Sequence, residues 1–335
     1  MRLTDFDYFL PKELIAQKPR EKRDTSRLLI VDRQKRDFFE TVFSQIVHYL
    51  KPGDVLILND TRVIRARIYV ALPNGKKGEI LLLRKIGDDR WEILCRPAKK
   101  FKPGSEVRVG DFPVKIEERK PTGVRIARFF HPVEELINTF GEIALPPYIK
   151  EKLGNPEEYQ TIFARRDGGI ASPTAGLHFT TELIEEIKGK GVEVGFITLH
   201  PSLGTFRPIK EEIVEKHKMY PEDFSIGKET AEIINRAKEE KRRVIACGTT
   251  CVRALESVAE DGKVRAYSGA TELFIYPGYR FQIVDALITN FHLPKSSLLL
   301  LICAFADKDL IFAAYQYAIE KRFLFYSFGD AMFIV

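Results

Sequence analysis

At 335 residues the chain is long enough for one large or two average domains and for a sizeable buried core. With 44% hydrophobic and 30% charged residues, it has too many aliphatic and aromatic side chains for a disordered chain. The formal charge of +6 permits a polyanionic partner without requiring one, and the longest apolar run, Leu298–Phe305, falls far short of the roughly 20 residues that span a bilayer.

In chain order, residues 40–50 read as a short amphipathic helix stopped by Lys51-Pro52-Gly53, and Asp54–Leu58 as a buried strand. From Val63 to about Phe130 the texture changes to short alternating runs such as RARIYVAL, GEILLL, RWEILC and EVRVG. Pro-Asn-Gly, Gly-Asp-Asp, Lys-Pro-Gly and Pro-Thr-Gly turns separate them, which predicts a small antiparallel barrel or sandwich. From Thr180 the rhythm is helix then strand. Helices are expected at Thr181–Lys188, Lys228–Glu240, from Cys251 and near Ser296–Ala306. Strands are expected at Val192–Leu199, Val244–Cys247, Glu272–Tyr276 and Ile283–Ile288. The fold class is therefore α/β with mostly parallel pairing: a discontinuous domain of residues 1–62 plus 150–335, carrying a β-barrel inserted at 63–149.

Common cofactor motifs fail. The only Gly-rich run, Gly189-Lys-Gly191, follows a helix and precedes a strand, whereas a phosphate-binding loop needs the reverse order. The six His and four Cys never fall at zinc-ligand spacing, so no metal is expected. Cys95, Cys247, Cys251 and Cys303 form no Cys-x-x-Cys pair and no leader precedes them, which points to a reducing cytoplasm. No heptad suggests assembly, so a monomer is expected.

Four strand ends carry polar chemistry instead. They run into Asn59-Asp60-Thr61-Arg62, His200 with Ser202 and Gly204-Thr205, Gly248-Thr249-Thr250, and Asn290 with His292. Each alone is an ordinary polar loop. Ligands of α/β sheets, however, collect at the carboxyl ends of strands, so the four are expected to converge. The loop GIASPTAGLHFT adds Thr174, Gly176 and His178, with Thr180 placed to cap the next helix.

The blocks QKPREKRDTSRLLI, LKPGDVLILNDTRVI, EYQTIFA, SPTAGLHFT, GTTCVRALES, FIYPGYRFQIVDALITNFHLPKSS and YSFGDAM, in this order and spacing, resemble the S-adenosylmethionine:tRNA ribosyltransferase-isomerase family of queuosine biosynthesis. The resemblance runs from Leu14 to the C-terminus. It implies an α/β domain with an inserted barrel, S-adenosylmethionine as co-substrate and no metal. The implied partner is a tRNA bearing 7-aminomethyl-7-deazaguanine in the anticodon, to which the ribosyl group is transferred.

Such a reaction needs a base for the proton beside the sulfonium and an acid for departing adenine. His178 or His200 is expected as base, and Asp60 or Asp285 as acid or sulfonium partner. Thr174, Gly176, Thr249, Thr250 and Arg253 would hold S-adenosylmethionine. Asn290 with His292 would hold the nucleobases, Asn59 and Arg62 would also bind substrate, and Lys99 and Lys100 on the barrel would face tRNA phosphates. Three places depart from the family pattern: Pro201-Ser202, Cys251 and HKMYPED. Two readings compete. A non-catalytic tRNA-binding protein would account for the charge and the barrel but not for the strand ends, and a methyltransferase would need the missing Gly-rich loop.

Overall fold

The computed structural model describes residues 1–72, 75–202 and 209–335, and the chain divides into two compact units. The first comprises Met1–Arg62, Pro147–Arg166 and Ser172–Val335, the second Val63–Pro146 and Asp167–Ala171.

The first unit opens with β1 (Arg27–Asp32), β2 (Asp37–Val42), β3 (Val55–Asn59) and the short β4 (Thr61–Val63). The second unit supplies β5 (Arg67–Ala71), β6 (Lys77–Lys85), β7 (Arg90–Arg96), β8 (Glu106–Val109), β9 (Phe112–Arg119) and β10 (Arg125–Phe129). It ends with α1 (Val133–Phe140) and β11 (Gly141–Glu142), and β12 (Arg166–Gly169) follows at the boundary. The chain then runs through α2 (Thr181–Gly189), β13 (Glu193–Leu199), β14 (Glu222–Ile226), α3 (Lys228–Glu239), β15 (Val244–Cys247) and α4 (Thr249–Ser257). It closes with β16 (Tyr267–Thr271), β17 (Ala286–Asn290), α5 (Ser297–Ala306), α6 (Lys308–Glu320) and β18 (Ala331–Ile334).

A nine-stranded sheet, ordered β16-β14-β13-β3-β15-β17-β18-β1-β2, organises the first unit. Its centre, β13-β3-β15-β17, is parallel throughout, while antiparallel pairs flank it, so the sheet is mixed rather than mostly parallel. Every residue of β3 is buried because both faces are covered, which is why VLIL reads as a continuous apolar run. Strand alternation divides the core. Val55, Ile57, Val244, Ala246 and Leu287 pack with residues of α3–α6. Leu56, Leu58, Ile245, Cys247 and Ile288 face the other way, with α2 and the segment around Phe43. The helix starts are capped as the sequence suggests: the Thr180 hydroxyl accepts from Leu183 N (3.2 Å) and Ser296 from Leu299 N (3.2 Å).

In the second unit six antiparallel strands close into a barrel in the order β5-β6-β7-β10-β9-β8, with β8 returning to β5. Ile68, Ile80, Leu82, Ile93, Val107, Val114, Ile116 and Phe129 fill it. The expected Pro73-Asn74-Gly75 turn lies partly outside the described residues.

Three local expectations are corrected. Residues 40–50 are not an α-helix: β2 continues to Val42, and Phe43–Tyr49 coils as a 3-10 segment that buries Phe43, Ile46 and Val47. No strand forms at Glu272–Tyr276, because the backbone there is captured by side chains. Leu273 N donates to Thr271 Oγ1 (3.1 Å), and Leu273 O accepts from Arg253 Nε (3.0 Å). The strand expected from Ile283 starts at Ala286, since the buried Glu256 carboxylate accepts the amides of Gln282, Ile283 and Val284 (3.0–3.1 Å). Among the described residues, no helix is long and apolar enough to cross a membrane.

Candidate active site

The parallel strands β13, β3, β15 and β17 are neighbours, so their carboxyl ends lie along one sheet edge. Asn59, His200, Gly248 and Asn290 stand at or just past those ends. Gly248 turns from β15 into α4 with φ +89°, a backbone region that only glycine enters without strain. The turn opens a groove with Ser172, Thr174, Thr249, Thr250, Asn290 and His292 in its wall.

Asn59 sets the geometry from behind. Its Nδ2 donates to Leu199 O (2.9 Å) and Thr250 Oγ1 (3.2 Å), and its Oδ1 accepts from Leu199 N and Thr61 N (both 3.1 Å). Both donors and both acceptor positions of the amide are thus spent within the protein. Asn59 positions Thr250 and is not an open substrate contact.

A second chain of hydrogen bonds fixes a tautomer. Thr174 Oγ1 donates to Asn290 Oδ1 (2.9 Å), which leaves the Asn290 amide N–H to donate to His178 Nε2 (3.1 Å). His178 therefore carries its proton on Nδ1 and donates it to Ser26 Oγ (2.7 Å), whose own hydroxyl reaches Arg23 O (3.3 Å). Burial, with the nearby Arg20 and Arg23 charges, lowers the His178 pKa to about 3. The imidazole is neutral, stacked on Phe43 at 4.9 Å, and its lone pair is occupied. This is the arrangement of a group that orients Asn290, not of a base. His292 is similar: Nε2 meets Thr289 Oγ1 at 2.9 Å, its amide donates to Tyr315 Oη (2.8 Å), and burial lowers its pKa to about 3.

The remaining expected residues divide. Thr174, Thr249, Thr250, Asn290 and His292 line the groove. Gly176 does not: a Cβ there would lie 2.8 Å from Phe163 Cζ and 2.9 Å from Thr161 Cγ2, so the glycine serves internal packing. Arg253 is buried in an ion pair with Glu222 and donates to Leu273 O. Glu222 in turn accepts from Ser202 N (2.7 Å), anchoring the segment after His200. Asp60 is buried and engaged by Arg165 Nε (2.6 Å) and Thr198 Oγ1 (2.5 Å). His200 Nδ1 meets Thr61 Oγ1 at 2.7 Å, and Arg62 pairs with Glu157 (2.5 Å).

Asp285 must be removed from the site. It precedes Ala286 at the amino end of β17, where it binds Lys238 Nζ (2.9 and 3.0 Å) and Val244 N (2.8 Å). A five-residue strand separates it from Asn290 by about 16 Å at ~3.3 Å per residue. Lys99 and Lys100 are exposed on a barrel turn that Arg125 ties down through Phe101 O (2.7 Å) and Ala98 O (2.6 Å). Gly204-Thr205 lies outside the described residues.

Several groove residues have no periodicity that would announce them. Tyr148 and Tyr326 meet edge to face at 4.1 Å, and Tyr148 Oη bonds Ser327 Oγ at 2.6 Å. Tyr326 adopts φ +74°, a strained conformation for a bulky residue and one that gathers at functional sites. Ser172 Oγ is buried in the groove wall without a hydrogen-bond partner. The only sequence signal was that Tyr326, Ser327 and Ser172 fall inside the quoted blocks.

Comparison with known proteins gives a consistent result. Residues 3–334 match the family model described as queuosine biosynthesis protein. A Carboxydothermus hydrogenoformans S-adenosylmethionine:tRNA ribosyltransferase-isomerase is 51% identical and a Clostridium kluyveri one 48%, each alignment covering 100% of both chains. The crystal structure of S-adenosylmethionine tRNA ribosyltransferase from Thermotoga maritima is 38% identical with a TM-score of 0.59, covering 99% of this chain and 100% of that one.

Proposed function

The chain belongs to the queuosine biosynthesis protein family, and on that premise we propose the reaction its groove performs. It is an enzyme of the ribosyltransferase-isomerase class, acting on tRNA with S-adenosylmethionine as co-substrate. The ribosyl group is joined to the aminomethyl nitrogen of 7-aminomethyl-7-deazaguanine at the wobble position. The C–N bond to adenine and the C–S bond of the sulfonium break, a C–N bond to the aminomethyl nitrogen forms, and a new ring-closing C–C bond with an epoxide C–O bond makes the sugar an epoxycyclopentanediol. Epoxyqueuosine-tRNA, adenine and methionine are the products, formed in the cytoplasm.

The observation that carries this reading is the groove at the four parallel strand ends, whose wall, among the described residues, holds hydroxyls, an amide and tyrosine rings and no charged side chain. The sulfonium would lie against the Tyr148 and Tyr326 rings, where a cation is attracted by the ring faces. Thr249 and Thr250, with the amides at the start of α4, would receive the ribose hydroxyls or the methionine carboxylate. Asn290, held by Thr174 and His178, would present a fixed edge to a nucleobase. His200, beside Pro201 of the groove, is the histidine proposed as base, and Lys99 and Lys100 would contact tRNA phosphates from the barrel.

The test is incubation with S-adenosylmethionine and precursor-bearing tRNA. Free adenine and methionine are expected. S-adenosylhomocysteine would mean methyl transfer, and tRNA binding without turnover would mean a binding module. His200→Ala should slow adenine release by ~10²–10⁴-fold while S-adenosylmethionine still binds. A wild-type rate removes His200 as base.

A further inference from the structure

A second, shallow cleft has Arg20, Arg23, Ser26, Glu158, His178 and Ser327 among its lining residues. Its cations are incompletely neutralised. Arg23 donates to two backbone carbonyls, Gln160 O (2.7 Å) and Glu157 O (3.1 Å), and among the described residues forms no direct ion pair, although the Glu157 and Glu158 charges act on it. Carbonyls orient a guanidinium but do not cancel its charge, and Arg23 is half-buried. Arg20 bonds Asp330 through Nη2 (2.7 Å), while its Nε is buried without a hydrogen-bond partner. The potential reaches across the cleft, since both arginines disfavour protonation of His178. Among the described lining residues Glu158 is the carboxylate; it is half-buried and, with Glu157, offsets part of the Arg23 charge.

The cleft is joined to the groove. Ser327 lines both, and the hydrogen-bond chain Thr174, Asn290, His178, Ser26 crosses from one to the other in three steps of 2.7–3.1 Å. A ligand with an uncharged planar part in the groove and an anionic part a short way off matches this pair of cavities. A nucleotide within an RNA strand has that form.

We propose that the Arg20–Arg23 cleft binds a backbone phosphate of the tRNA adjacent to the nucleotide being modified. The proposal rests on the tRNA reading above. Guanidinium groups suit phosphate oxygens because their paired N–H donors match the oxygen spacing.

The experiment measures tRNA affinity against salt for wild type, Arg23→Gln and Arg23→Lys, together with S-adenosylmethionine binding by calorimetry. Arg23→Gln should weaken tRNA binding about tenfold and reduce the salt slope by ~0.7–0.9, the contribution of one phosphate contact. Arg23→Lys should keep the slope but recover only part of the affinity, and S-adenosylmethionine binding should not change. An anticodon RNA with a neutral methylphosphonate beside the target nucleotide should bind wild type as weakly as normal RNA binds Arg23→Gln, without further loss when the two are combined. This arm leaves the protein intact, so it stands even if the variants fold poorly. Wild-type tRNA affinity and slope in Arg23→Gln, or a loss confined to S-adenosylmethionine, would overturn the proposal. If wild type binds tRNA through this cleft but releases no adenine, the reaction falls and the cleft stands. If adenine is released and the methylphosphonate costs nothing, the reverse holds.

Discussion

The two edges of the large sheet carry opposite chemistry. At the carboxyl ends of the parallel strands, the groove is built from hydroxyls, an amide, a neutral imidazole and two tyrosine rings, with no charged side chain among the described residues of its wall. The cleft beyond the amino ends is lined by Asp32, Arg33, Lys51, Lys238, Lys241, Arg242, Arg243 and Asp285. Much of that charge is closed on itself. Arg243 meets Asp54 (2.5 Å), Lys238 meets Asp285 (2.9 Å), Arg242 meets Glu193 (2.9 Å), and Arg33 donates to the carbonyls of Phe305 and Val335. Paired charges brace a sheet edge. Neutral polar groups that are held in place but not consumed leave room for a ligand, and a cationic sulfonium can enter that groove without displacing a salt bridge.

The largest expected effect tests the support behind the groove. Arg253 and Glu222 are a fully desolvated pair, so Glu222→Gln leaves a buried guanidinium without its counter-charge and should cost about 3–5 kcal/mol, read as a lower denaturation midpoint. An unchanged midpoint would show that the pair is not bracing this edge. Next, Asn290→Ala removes the link between Thr174 and His178 at the groove wall. Adenine release should fall by about 10²-fold, with ~1–3 kcal/mol lost from stability. If stability falls while the rate per folded molecule holds, Asn290 braces the edge and does not present to substrate.

The neutral histidines predict a pH effect with a definite sign. His178 and His292 have folded pKa values of about 3 against 6.5 unfolded, so below pH 6.5 the unfolded state binds more protons. Stability from this source is complete above pH 6.5 and is lost as pH falls toward 3, by up to ~1.4 kcal/mol per unit for each histidine. Denaturation at pH 7 and pH 5 should show it, and His178→Gln should flatten the dependence. The smallest effect belongs to the amino edge. Asp285→Asn, at a half-buried pair, should cost about 1 kcal/mol and leave the adenine-release rate per folded molecule within about twofold. A collapse in rate with intact folding would return Asp285 to the site.

Much of the architecture was readable from the chain. The barrel strands were marked by period-2 alternation and glycine turns, and the parallel centre by VLIL, VIAC and ALIT runs too apolar to face water. The end of each central strand was readable too, because apolar residues give way there to Asn, His, Gly and Thr. Two of the three local errors fell where a side chain competes for backbone. Glu256 takes three amides that a strand would use, and Arg253 takes the Leu273 carbonyl. No local pattern records a partner some 20 or 30 residues away.

The candidate site was half legible for the same reason. Residue type and position at strand ends selected Thr249, Thr250, Asn290 and His292, since these need only the strand direction to be known, while Thr174 came from the polar loop GIASPTAGLHFT. Their roles depended on partners. Asp60 and Arg253 are charged in the sequence but engaged by Arg165 and Glu222 in the fold, and His178 becomes a neutral support because Asn290 and Ser26 occupy its nitrogens. Asp285 and Asn290 share one strand and differ in which edge they reach. The sequence by itself determined the elements, their order and the polar character of the strand ends, because these follow from local periodicity and composition. Only the tertiary structure decided which of those groups face a groove and which are already spent, because burial and hydrogen bonding are set by residues distant in the chain.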